Sequence, residues 1–116
     1  IEYGKSENDV FSGFNLIHDL DYLIINKLAL EAKSLTNIHI KKLEINNKDC
    51  DFNYYNFNIT VDTLIIRSSM NNFTRNFNNF NLKIKNDLII YNFDALKTNN
   101  DLITYCKNNN IDLIFR

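Results

Sequence analysis

The chain has 116 residues, 45% hydrophobic and 23% charged, with a net charge of −1 and two cysteines. That size and balance fit one globular domain, residues 1–116, and exclude the basic field that would hold nucleic acid or an anionic membrane. No apolar run approaches the ~18 residues that a membrane-spanning helix needs. Proline is absent and glycine occurs only at Gly4 and Gly13, so no linker or domain boundary is expected.

Residues 1–19 read as an N-terminal cap or a degenerate repeat. Ile1-Glu2-Tyr3 has the form of a truncated strand, with Tyr3 lying 20 residues before Leu23. Val10, Phe11, Phe14, Leu16 and Ile17 form an apolar group suited to closing the end of a core. A short strand pattern then recurs over residues 20–116. It stands as Leu20-Asp21-Tyr22-Leu23-Ile24-Ile25-Asn26, Ile40 to Asn46, Val61 to Arg67, Lys85 to Tyr91 and Asn110 to Arg116. Each copy centres on a leucine: Leu23, Leu43, Leu64, Leu88 and Leu113, at steps of 20, 21, 24 and 25 residues.

The segments between the strands differ. Leu28 to Leu35 holds strong helix formers with leucines at helical spacing. Phe52 to Phe57 is rich in tyrosine, phenylalanine and asparagine and poor in helix formers, and predicts an extended or irregular return. The stretch Asn71 to Asn81 carries Phe73, Phe77 and Phe80 and reads as an ordered connection. Asn99 to Lys107 predicts a helix behind an asparagine cap, with Leu102, Ile103 and Cys106 on one side. Ile111 to Arg116 predicts an edge strand, a template for pairing with another chain.

Within each strand successive side chains alternate faces. The leucines point into the core. The outward set is then Tyr22, Ile24, Asn26; Lys42, Glu44, Asn46; Thr63, Ile65, Arg67; Asp87, Ile89, Tyr91; and Asp112, Ile114, Arg116. Its middle column is Ile24, Glu44, Ile65, Ile89 and Ile114, an apolar stripe broken by one acid. Tyr22, Tyr91, Arg67 and Arg116 edge it, as aromatic residues and arginine edge protein-binding patches. High β-propensity of isoleucine alone, or the N-terminal segment folded across the face, would also account for the stripe.

The pattern resembles the leucine-rich repeat family, with leucine, two variable residues, leucine, one variable residue, then leucine or isoleucine: Leu20-x-x-Leu23-x-Ile25, Ile40-x-x-Leu43-x-Ile45, Val61-x-x-Leu64-x-Ile66, and more loosely Lys85-x-x-Leu88-x-Ile90 and Asn110-x-x-Leu113-x-Phe115. A period of 20–29 residues belongs to that architecture. The resemblance implies an α/β fold: a short leucine-rich repeat solenoid (horseshoe) with a parallel concave sheet of about five strands, short helices and irregular convex returns. The family's asparagine or cysteine after the last leucine is missing, since Leu28, Lys48, Ser69 and Phe93 stand there. The general character also resembles small secreted leucine-rich repeat proteins of parasites and microbes with AT-rich genomes, microsporidia among them, whose repeats serve contact with a host or another cell. Asparagine at about one residue in five fits codon usage of that kind.

Features that would fix a compartment are weak. A start at Ile1 would follow from removal of a signal peptide or from excision out of a longer chain. Asn58-Ile59-Thr60 and Asn72-Phe73-Thr74 are glycosylation sequons, but this asparagine content alone supplies about two. Cys50 and Cys106 lie in different repeats and read as buried free thiols.

Chemistry is sparse. His18 and His39 are the candidate neutral-pH bases, and His18 neighbours Asp19. No Cys–His signature, metal-ligand spacing, calcium loop or phosphate loop occurs. The expectation is therefore a non-enzyme without cofactor or metal: a protein–protein recognition module, secreted and host-interacting, that binds a protein partner through Tyr22, Ile24, Glu44, Ile65, Arg67, Ile89, Tyr91 and Ile114. The alternative is a cytoplasmic structural or assembly module, or a homodimer joined through the edge or the concave face.

Overall fold

The computed structural model describes residues 2–3, 19–26, 36–46, 58–67, 81–92 and 94–116. Among them six strands form one sheet: β1 (Glu2–Tyr3), β2 (Asp19–Ile25), β3 (Thr36–Ile45), β4 (Asn58–Ile66), β5 (Asn81–Ile90) and β6 (Asp112–Phe115). Neighbours in sequence are neighbours in the sheet, and every pairing is parallel. With the helix α1 (Asn100–Asn108) the protein is α/β.

Leu23, Leu43, Leu64, Leu88 and Leu113 are Cα partners across successive strands. The uneven steps between these leucines in the sequence are thus the register itself. Two residues on, Ile25, Ile45, Ile66, Ile90 and Phe115 form a second row. Apart from Leu113 and Phe115, which are half-buried on β6, both rows are fully buried in one hydrophobic cluster. Each such side chain contributes roughly 1.5–3 kcal/mol on leaving water. A one-residue slip would turn both rows to the other face, so burial locks the register.

Strands β3, β4 and β5 begin earlier than the seven-residue pattern predicts. Ile38 and Ile40, Ile59 and Val61, and Leu82 and Ile84 already alternate into the core upstream of it. Between the two buried pairs the alternation loses phase: Lys41 and Lys42 are both exposed, as are Lys85 and Asn86. The β4–β5 ladder absorbs this as a register shift between Val61 and Thr63, and the β3–β4 ladder shifts between Thr36 and Ile38. Asn37, within the second shift, takes φ 57°. Asparagine tolerates this left-handed region better than most residues, which suits a chain with two glycines.

Tyr3 is a strand residue, but it pairs with Ile25 and not with Leu23, so the repeat does not run back through it at the expected 20-residue step. Two residues make too short a ladder to hold a register that the spacing alone proposes. The expected helix at 28–35, the irregular return at 52–57 and the apolar group at 10–17 lie outside the described residues.

The β5–β6 connection is described from Asp94 onward. A 3-10 turn, Asp94–Thr98, buries Leu96, and α1 follows. Asn99 caps the helix, its Oδ1 accepting from the Leu102 N–H at 2.9 Å. At the other end Ile111 N–H donates to Cys106 O at 2.8 Å and Asn110, at φ 55°, supplies the left-handed residue. That is a Schellman ending with asparagine in the place glycine usually takes. Leu102 and Cys106, four apart, pack into the core. Ile103 does not join them: it is 39% exposed. One helical residue turns the chain by about 100°, which carries Ile103 off the face its neighbour occupies.

Candidate functional site

The side chains opposite the core stand in three rows across the sheet. Tyr22, Lys42, Thr63, Asp87 and Asp112 make the first, and Ile24, Glu44, Ile65, Ile89 and Ile114 the second. The third is Asn26, Asn46, Arg67, Tyr91 and Arg116. It is tied by backbone bonds such as Arg67 N–H to Ile45 O (3.1 Å) and Tyr91 N–H to Ile66 O (2.8 Å). The eight residues that the sequence offers for partner binding are therefore brought together on one face.

Their exposure differs from the expectation of an open stripe. Ile65 is 6% exposed although it lies outside the core cluster, and Glu44 is buried. Ile24, Ile89 and Ile114 are half-buried. A central strand position between filled neighbours leaves little room for water, so the middle of the column is closed and its flanks stay accessible.

Glu44 organises this face. Tyr22 Oη–H donates to Oε1 at 3.0 Å, Arg67 Nε–H to the same oxygen at 2.8 Å, and Asn46 Nδ2–H to Oε2 at 3.1 Å. Burial pushes the Glu44 carboxyl up, but the three donors outweigh it and its pKa falls below the ordinary value. Burial and the bond to Glu44 push the Tyr22 phenol up. The Arg67 guanidinium carbon lies 4.4 Å from the Tyr91 ring centroid, and Lys42 Nζ lies 5.1 Å from that of Tyr22; both are cation–π distances. Asn46 also donates to Asn26 Oδ1 at 2.9 Å, a short asparagine ladder on the strands themselves.

A second polar cluster stands near the strand starts. His39 on β3 meets Asp62 on β4 through Nε2 (2.8 Å) and Asp19 on β2 through Nδ1 (3.3 Å). The bond to Asp62, then that to Asp19, raises the imidazole pKa against the opposing effect of burial, and His39 holds the Asp62 carboxyl low in return. Asp19, the sequence neighbour of His18, meets His39, 20 residues away in the next strand. His18 lies outside the described residues. His39 also lines a groove of about 660 Å³ beside Asn58, Thr60, Lys83, Tyr105 and Asn109. Among the described residues no group of three histidine, cysteine, aspartate or glutamate side chains is placed to hold a metal.

Cys106 is a buried free thiol, and burial pushes its pKa up to about 11, so it stays protonated and unreactive near neutral pH. Asn58 is exposed at the start of β4. Cys50, Asn72 and the family positions Leu28, Lys48, Ser69 and Phe93 lie outside the described residues. No helix among the described residues is long and apolar enough to cross a membrane. Comparison with known proteins yields no match: no family model fits the chain, and no curated protein or solved structure is significantly similar to it.

Proposed function

We propose that the chain is a short leucine-rich repeat solenoid whose outward sheet face, concave in a horseshoe of this kind, recognises a protein partner without catalysis. One observation carries the reading: Ile24, Ile89 and Ile114 stand in register opposite the core and stay half accessible, edged by Tyr22, Tyr91 and Arg67. Apolar side chains flanked by aromatic residues and arginine match the make-up of interface centres. The Glu44 network supports this use because it holds Tyr22 and Arg67 in fixed positions before any partner arrives, which lowers the entropic cost of binding.

The test compares the chain with an Ile89→Asp variant as bait against a broad candidate extract, both verified as folded. Proteins retained by the first and lost by the second support the reading and identify the partner. Equal retention by both removes this face from consideration. A secreted, host-directed role belongs to the same proposal; glycan on Asn58 or Asn72, or recovery from medium, supports it, and a purely cytosolic pool sinks it.

A further inference from the structure

The outward face is not evenly charged over β4, β5 and β6. Asp87 and Asp112 stand side by side in its first row, as partners across the β5–β6 ladder. Arg67, Tyr91 and Arg116 stand in the third row, each tied by its backbone N–H to the preceding strand. Ile65, Ile89 and Ile114 run between the two in register. An apolar column thus lies between an acidic bank and a basic one. Asp112, Arg67 and Arg116 are exposed, while Asp87, Ile89, Tyr91 and Ile114 are half-buried. Asp87 accepts from Thr63 Oγ1–H at 3.3 Å, and neither aspartate makes an ion pair among the described residues. Arg67 uses its Nε–H on Glu44 and rests on the Tyr91 ring, which leaves its terminal nitrogens to meet another acid.

We infer that this face takes an amphipathic α-helix of a partner protein, laid across the strands with its apolar stripe on the isoleucine column. One flank of that helix is basic and lies over Asp87 and Asp112. The other is acidic and lies over Arg67 and Arg116. The inference rests on the reading of this face as a protein-binding surface and names the kind of segment it binds. Neighbouring strands lie about 4.8 Å apart and a helix advances about 5.4 Å per turn, so each turn meets one isoleucine. The two charged rows are four residues apart along the strands, about 13 Å, and a helix with its side chains is about 10–12 Å across. Each flank therefore reaches one bank. The apolar column supplies the contact, and the charged rows orient the helix and reject the wrong one.

Other occupants fit less well. A helix laid along the strands would touch the isoleucine column with a single turn. An extended segment on the face would set its backbone N–H and C=O groups against isoleucine side chains, with nothing to bond. A nucleic acid or an anionic membrane would be repelled by Asp87 and Asp112. Lys42, in the same row on β3, lies over the Tyr22 ring, so the acidic bank is confined to β5 and β6 and the helix is seated on that side of the face.

The experiment titrates the 116-residue chain with stapled helical peptides of about 14 residues that share one leucine stripe. The first carries lysines on one flank and glutamates on the other. The second has the same composition with both charges mixed on each flank, and the third has glutamates on both flanks. Turning a helix end for end exchanges its flanks, so the first peptide can always seat its lysines over the aspartates. The expected result is that the first peptide binds about tenfold tighter than the second and that Ile89→Asp abolishes its binding. Asp87→Lys together with Asp112→Lys should then make the third peptide the tightest, a gain that a misfolded variant cannot produce. Should the double variant not fold, Asp112→Lys alone, at an exposed side chain, should still shift the preference toward the third peptide. No binding of the first peptide up to about 1 mM, equal binding of the first and second, or a preference unmoved by the lysine variants would each overturn the inference. If Ile89→Asp still loses partners from the extract in that event, the face binds protein by another segment. If Ile89→Asp keeps both the peptide and those partners, the reading of the face falls as well.

Discussion

Arg67 donates its Nε–H to Glu44 Oε1 across 2.8 Å, yet the carboxylate is 7% exposed and the guanidinium side chain 45%. The pair thus has one buried and one wetted end. Removing the arginine would leave a buried carboxylate with Tyr22 and Asn46 as donors but without its facing cation, whereas removing the glutamate leaves a cation that water can still solvate.

Glu44→Ala is therefore expected to cost about 1–3 kcal/mol, less than the ~3–5 kcal/mol of breaking a fully buried pair. The loss comes from Tyr22, Arg67 and Asn46 losing one acceptor together. Because the carboxyl pKa is depressed below its ordinary 4.5, this stability is present above that value and fades as pH falls through the lower folded pKa. Urea unfolding at pH 7 and pH 3 measures both effects; a variant as stable as the parent at pH 7 would contradict the account.

The bridge from Asp19 through His39 to Asp62 gives a second pH signature. The folded imidazole pKa lies above 6.5, so its contribution is fully present below 6.5 and is lost as pH rises through the folded value. Asp62 has the opposite sign: its contribution is present above 3.8 and lost as pH falls through its depressed folded value. The bridge is thus strongest between these limits. His39→Gln should lower the melting temperature most near pH 5.5 and progressively less as the pH is raised past 6.5 and through the folded value, and a difference flat across that rise would mean that the bridge does not stabilise the fold.

Leu64 sits in the middle of the leucine row and is fully buried, whereas Leu113 at the β6 end is half-buried. Leu64→Ala should cost about 2–5 kcal/mol, and Leu113→Ala clearly less because its site is already part solvated. Equal costs, read from chemical denaturation, would mean that the row does not carry the core in the way its register implies.

Asn110 ends α1 at φ 55°. Glycine there should be neutral or stabilising, while alanine should lose about 1–2 kcal/mol because its Cβ crowds the backbone in the left-handed region. Asn110→Gly and Asn110→Ala melts provide the comparison.

How far the sequence reaches depends on the range of the interaction. Leu23, Leu43, Leu64, Leu88 and Leu113 were legible as a row because each sits in the same local pattern, and burial preserves that pattern. The upstream halves of β3 to β5 were hidden, since Lys41-Lys42 and Lys85-Asn86 break the two-residue period that marks a strand. Tyr22, Arg67 and Asn46 could be placed on the outward face, but their convergence on Glu44 depends on side-chain reach across neighbouring strands. The closing of Ile65 and Glu44 likewise follows from lateral crowding, which alternation along one strand does not encode. The Asp19–His39–Asp62 bridge was missed, although the register that aligned the leucines also set Asp19 beside His39; that alignment was the available signal.

Among the described residues each strand borders just its sequence neighbours, and no strand pairing ties one side of the sheet to the other. Cooperativity in such an array passes from strand to strand, and loss of order can start at an end without the whole unfolding. Amide hydrogen exchange should accordingly be slowest in β3 and β4 and quicken toward β6. Anything that settles on an end strand would then slow exchange several strands away, through the sheet and not by direct contact.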